Sequence, residues 1–306
     1  MPAAVPERIP LTVIGGYLGA GKTTVLNEVL RSTDTRVAVL VNDFGEIDVD
    51  ASLIASHSGE TISLTNGCVC CSLADGFFAA LQTVRAVDPP VDHVLVEASG
   101  VADPGQVAQW GHTPGFRLDG VVVVADADAV VALAADAYVG DTVRAQLRAA
   151  DLVLVTKLDL ADDVATVRAW IATVTDAPVV DAPHGRVPLA VLVGTATTVD
   201  PPLEPARHPA YVTASVESDA VVDPATLASA LTDRPVGLLR AKGIVRVADA
   251  PDRQSVVQVV GRRHDVRPGD PWAPDARSRM VGIARPPTTR DELAGWLHHL
   301  VGRSAP

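Results

Sequence analysis

The chain has 306 residues and a net charge of −12; 48% of its residues are hydrophobic and only 4% aromatic. That length exceeds one small core and suits one large and one small domain, with Val, Leu, Ala and Ile building a buried parallel sheet. Residues 1–200 hold 11 basic and 25 acidic residues against 14 and 12 in 201–306, so no nucleic-acid footprint is present, and the lack of a span-length apolar run or signal-peptide core predicts a cytoplasmic protein without membrane partners.

Residues 9–14 form a short apolar β-branched run, 25–31 have helical spacing, and between them lies GGYLGAGKTT, with the pattern G-x-x-x-x-G-K-T at Gly16, Gly21, Lys22 and Thr23. A strand, a glycine-rich turn and a helix in that order predict a phosphate-binding loop. The glycines let the backbone curl, so that successive N–H groups and the positive helix end face one anion. The expected nucleotide contacts are Gly16, Gly19, Ala20, Gly21, Lys22, Thr23 and Thr24, with Lys22 reaching the outer phosphates and the Thr23 hydroxyl ligating Mg2+.

Residues 36–41 read as a second strand, ending in the polar turn Asn42, Asp43, Phe44, Gly45, Glu46 at the edge where open α/β sheets bind ligands. Residues 47–61 have weak patterning and are expected to be mobile. Residues 73–87 read as a helix stopped by Pro89 and Pro90, and 93–97 as a strand closing on Glu97, followed by Ala98, Ser99 and Gly100. In a P-loop protein, Glu97 then holds a metal-bound water, and the Gly100 N–H faces the terminal phosphate.

Residues 121–125 are a buried strand and helical spacing follows to 149; strand 152–155 ends in Thr156, Lys157, Leu158, Asp159. At such a strand end Asp159 accepts hydrogen bonds from guanine N1–H and the 2-amino group, while the Lys157 stem packs along the ring. A helix over 160–174, a strand over 179–181, and a turn at His184 and Gly185 above the base are expected next. The large domain is placed at 1–199, a linker with four prolines at 200–210, and a small α+β domain at 211–306. In the latter, strands are expected over 211–216, 238–248, 255–260 and 279–284, with helices over 224–231 and 289–300.

All three cysteines fall within four residues, Cys68, Cys70 and Cys71, which argues against a disulfide framework and for soft-metal ligation. Alternate residues of an extended segment share a face, so Cys68 and Cys70 grip one ion and a turn brings Cys71 round. The fourth ligand is open among Glu46, a histidine and water, and an unfilled position suits a site that passes its metal on. Lysine usage is also informative: of 25 basic residues only Lys22, Lys157 and Lys242 are lysines.

Together these motifs resemble the CobW family, within the CobW/HypB/UreG branch of P-loop GTPases that insert or deliver transition metals. The likeness spans nearly the whole chain: GGYLGAGKTT for Walker A, VNDFGEIDVD for the switch segment, GCVCC for the metal motif, VEASGVADP for Walker B, TKLD for the base loop and RAKGIVRVAD for the C-terminal domain. The resemblance implies an α/β P-loop fold with a mostly parallel sheet flanked by helices, plus a small C-terminal α+β domain. It also implies a GTPase that uses Mg2+ and binds Zn2+ or Co2+, with Lys22, Asp43, Glu97 and Gly100 as its catalytic set and an apo-metalloprotein client. Whether the C-terminal domain grips that client or a second copy, as a homodimer, stays open. Thr156 stands where the family usually has Asn, which predicts a lost tie to the P-loop and looser guanine preference; Asp43 replaces a glutamate and shortens its reach. No arginine finger is assignable, so unaided turnover is expected to be slow. Two other readings are a small-molecule kinase with a structural zinc clip and a metal-responsive nucleotide-binding module with negligible turnover.

Overall fold

The computed structural model describes residues 8–32, 36–42, 53–55, 61–63, 73–193, 212–261, 263–273 and 276–302, in two compact units, 1–193 and 194–306. The proline-rich segment 200–210 lies outside the described residues.

The first unit is built on an eight-stranded sheet. Its strands are β1 (Ile9–Gly15), β2 (Val37–Asn42), β3 (Leu53–Ala55), β4 (Thr61–Ser63), β5 (His93–Ala98), β6 (Phe116–Asp126), β7 (Leu152–Thr156) and β8 (Val179–Asp181). The spatial order is β4-β3-β2-β5-β1-β6-β7-β8, parallel from β2 to β8, with β3 and β4 added antiparallel. Leu11, Val13 and Ile14 of β1 are fully buried, as are Leu152 to Val155 of β7, which is why both read as apolar runs. The helices are α1 (Lys22–Ser32), α2 (Leu73–Arg85), α3 (Pro104–Ala108), α4 (Val130–Ala135), α5 (Gly140–Ala149), α6 (Val164–Val174) and α7 (Leu189–Val193). This is the expected α/β class.

Three local differences have physical causes. The weakly patterned stretch 47–61 contains β3, which pairs with β2 through Val37 and Ala55; three residues are too few for alternation to show. Strand β6 starts at Phe116 rather than near 121, because its first half is polar but internally satisfied. The buried Asp119 carboxylate accepts from the Thr12 hydroxyl at 3.2 Å and from Arg117 at 3.3 Å, and the same hydroxyl lies 2.8 Å from His93 Nε2. Helix α6 begins at Val164, not 160, since the Asp163 carboxylate caps it by accepting from the Ala165 and Thr166 N–H groups.

The second unit is an antiparallel sheet of β9 (Val212–Ser218), β10 (Leu238–Val245), β11 (Arg253–Val260), β12 (Arg263–Pro271) and β13 (Ser278–Ala284), in the order β12-β11-β10-β13-β9. Helix α8 (Pro224–Thr232) and helix α9 (Arg290–Leu300) pair through a Trp296 indole N–H donated to the Ala230 carbonyl, 2.8 Å. Thr289 and Glu292 close a reciprocal capping box at the start of α9. Strand β12 has no sequence signature: it is an edge strand of mainly exposed charged residues that also carries Pro268. Among the described residues no helix is long and apolar enough to cross a membrane.

Candidate functional site: a phosphate cradle at the sheet edge

Strand β1 is flanked by β5 on one side and β6 on the other, although the chain runs from β1 to β2. That reversal opens a crevice at the carboxyl ends of the strands. Parallel register brings Gly15, Asn42, Ala98, Asp126 and Thr156, the last residues of five strands, to this edge.

The loop between β1 and α1 is shaped by contacts that only glycine permits. Gly16 has φ +131°, and a Cβ there would fall 2.2 Å from the Val124 carbonyl oxygen. Lys22, 8% exposed, donates its ammonium to the Gly16 carbonyl at 2.9 Å and approaches the Tyr17 carbonyl at 3.3 Å. The Lys22 stem therefore lies along the loop, at the positive end of α1.

At the neighbouring strand end, the Thr23 hydroxyl donates to Glu97 Oε1 at 2.9 Å. Glu97 is only 7% exposed. A hydroxyl and a carboxylate oxygen in contact beside a phosphate loop form a hard-oxygen donor pair, which suits Mg2+ with the remaining positions left to water and phosphate. Gly100 follows three residues later, and a Cβ on it would meet Leu18 Cδ2 at 2.6 Å and Leu18 N at 2.8 Å. The turn after β5 is thus seated directly against the P-loop.

The other flank is built from β7. Thr156, 3% exposed, donates its hydroxyl to the Ala20 carbonyl at 2.7 Å. The expectation that losing the asparagine amide unties this loop from the P-loop is corrected here: the shorter hydroxyl reaches because β7 ends against Ala20. Lys157 turns out of the strand with φ +52°, and its ammonium pairs with Asp126 Oδ2 at 2.6 Å. Asp159 is exposed two residues on. His184 is also exposed, with φ +53°, and Gly185 beside it packs against Thr24, where a Cβ would lie 3.0 Å from Thr24 Cγ2. The P-loop, the ends of β5 and β7 and the His184 turn therefore gather at one edge. Asp43, Glu46, Cys68, Cys70 and Cys71 lie outside the described residues.

Sequence reasoning passed over two residues. Asp126 is visible only as the end of a buried strand until its ion pair with Lys157 is seen. Gln146 stands among Val143 and Leu147 on the buried face of α5 and donates to the Gly100 carbonyl at 3.0 Å and the Ala102 carbonyl at 2.9 Å. An amide on an otherwise apolar helix face is the signal that marks it.

Two family profiles match the chain: the CobW/HypB/UreG nucleotide-binding domain over residues 10–180 and the cobalamin synthesis protein CobW C-terminal domain over residues 211–300. The chain belongs to the CobW family. Its similarity to other CobW proteins extends along most of their length. It is 31% identical to the zinc chaperone CobW of Pseudomonas aeruginosa, over 93% of this chain and 90% of that one. It is 30% identical to the zinc chaperone CobW of Sinorhizobium, over 84% of this chain and 87% of that one. The solved structure of zinc-bound YjiA GTPase from Escherichia coli aligns over 96% of this chain and 99% of its own, at 26% identity and a TM-score of 0.46.

Proposed function

We propose that this CobW-family protein hydrolyses GTP and couples that cycle to carrying a transition metal, zinc first and cobalt second, to an apo-metalloprotein client. The observation that carries the nucleotide half is the 2.9 Å contact between Thr23 and Glu97 beside the Lys22 loop. A triphosphate seated on the loop would take N–H donors from residues 16–24 and charge from Lys22, with Thr23 and Glu97 holding Mg2+. Bound Mg2+ supplies charge neutralisation across the outer phosphate oxygens. Asp159 would accept from the guanine edge, Lys157 would lie along the base, and the Gly100 N–H would face the terminal phosphate. Asp43 stands in the switch segment beyond β2.

The metal half is supported by family membership and by the three-thiol motif. Cys68, Cys70 and Cys71 would bind zinc as cargo, with Glu46 as candidate fourth ligand. The acid turn 43–46 follows directly on β2, which ends at Asn42 on the phosphate edge, and the cysteines lie between β4 and α2, so both belong to the one connection from β2 to α2 that β3 and β4 interrupt. Ordering of that stretch by nucleotide would raise zinc affinity, and by linkage zinc would raise affinity for the same nucleotide by an equal factor. The test is zinc affinity measured with a non-hydrolysable GTP analogue and with GDP, alongside phosphate release with and without zinc. A higher affinity in the analogue complex, lost on replacing the three cysteines by serine, supports the coupling. Equal affinities in the two nucleotide states would reject it.

A further inference from the structure

We infer that Gln146 is a positioning residue for the terminal phosphate, acting through the Gly100 turn; this rests on the nucleotide reading above. Gln146 is 2% exposed, on a helix that contributes no residue to the cradle itself. A carboxamide has two N–H donors, and here both contacts go to one turn: the Gly100 carbonyl at 3.0 Å and the Ala102 carbonyl at 2.9 Å. The turn is closed on itself by the Ala102 N–H donated to the Ser99 carbonyl, 3.0 Å.

The P-loop presses on the same residue, since Gly100 has no room for a Cβ beside Leu18. Gln146 and Leu18 also line one cavity, with Tyr17, Ala20 and Asp126. Gly100 is therefore held both by the P-loop and by the Gln146 amide. Gln146 holds the peptide plane after Gly100 through its carbonyl, and the Ala102 N–H bonded to the Ser99 carbonyl holds the plane that carries the Gly100 N–H, so that N–H stays aimed at a phosphate only while the turn keeps this shape. An apolar side chain of the same volume would fill the space, leave two carbonyls without this donor and let the turn drift.

The consequence is selective. GTP uses the Gly100 N–H and GDP, lacking the terminal phosphate, does not. Loss of the amide should weaken GTP binding more than GDP binding, whereas a residue that merely packs would shift stability and move both nucleotides together.

The experiment measures dissociation constants for a non-hydrolysable GTP analogue and for GDP, both with Mg2+, in the full-length wild type, in Gln146→Met and in Gln146→Asn. Melting curves establish that each protein is folded. Gln146→Met keeps the volume without donors; Gln146→Asn keeps the amide one methylene short and guards against failure of the first variant to fold. The preference for analogue over GDP should fall about fivefold in either, the worth of about one hydrogen bond. An unchanged preference in a folded variant, with the wild type binding both nucleotides, overturns the role of Gln146 alone. A wild type that binds neither nucleotide overturns the nucleotide reading itself.

Discussion

The Thr156 hydroxyl donates to the Ala20 carbonyl at 2.7 Å, joining the end of β7 to the P-loop. Both residues are buried, at 3% each, so water does not replace this bond if it is lost. Thr156→Val keeps the branched shape and removes the donor, leaving the Ala20 carbonyl unsatisfied at a cost of about 1–3 kcal/mol. The expected result is a lower denaturant midpoint together with weaker guanine-nucleotide binding. Thr156→Asn should instead retain the tie and sharpen the ratio of GTP to ATP affinity. A Thr156→Val protein with wild-type stability would contradict the reading.

Most of the fold is legible in the sequence because its strands are either fully buried apolar runs or end in residues with recognisable chemistry. β1, β5 and β7 are found within a residue or so of their expected ends, and the P-loop is marked by Gly16, where nothing larger fits, and by the positive φ of Gly19 and Gly21. What escapes is structure held by partners distant in sequence. The polar half of β6 is stabilised by Thr12, 107 residues from Asp119, and the Lys157 ammonium by Asp126, 31 residues away. No local pattern encodes such contacts, and substituting Thr for Asn at 156 looked like a loss only because the distance to Ala20 is not a property of sequence.

His264 on edge strand β12 gives a pH signature. Burial and the nearby Arg234 guanidinium hold its imidazole below the ordinary value of 6.5, outweighing the opposing pull of Asp265. The folded state therefore binds fewer protons than the unfolded chain once pH falls below 6.5, and stability drops with it until the lowered folded-state value is passed. Above 6.5 this contribution vanishes. Urea midpoints for the wild type and His264→Gln should coincide in slope above neutrality, with the variant losing less stability on acidification to pH 5; parallel curves across the whole range would assign the acid loss elsewhere.

The Thr23 and Glu97 pair predicts a separation between binding and turnover. Glu97→Gln keeps the size of the side chain and an acceptor for the Thr23 hydroxyl, 2.9 Å away, but removes the charge that favours a divalent cation. Nucleotide binding in the presence of a chelator should change little. Binding should gain far less from added Mg2+ than in the wild type, and phosphate release should fall by roughly 100-fold, a few kcal/mol of lost charge stabilisation. A variant whose Mg2+ dependence matches the wild type would remove Glu97 from the site.

Asp126, Lys157 and Asp159 predict a pattern across nucleotides. The ion pair between Lys157 and Asp126, 38% and 12% exposed in their side chains, is half sheltered and fixes the ammonium end of the stem expected to lie along the base. Asp126→Asn loosens that end, so GTP and GDP should weaken by the same factor, about fivefold or roughly 1 kcal/mol, because the base is common to both. Asp159→Asn acts on the edge of the base instead. Its amide keeps one oxygen to accept from N1–H but offers a donor in place of the other, so guanine loses the bond from its 2-amino group and xanthine, with an oxygen at that position, gains one. Competition between GTP and xanthosine triphosphate reads both changes. Asp126→Asn should leave the preference for guanine intact while lowering overall affinity, and Asp159→Asn should invert the preference. The same weakening for both bases in Asp159→Asn would move base recognition away from this loop.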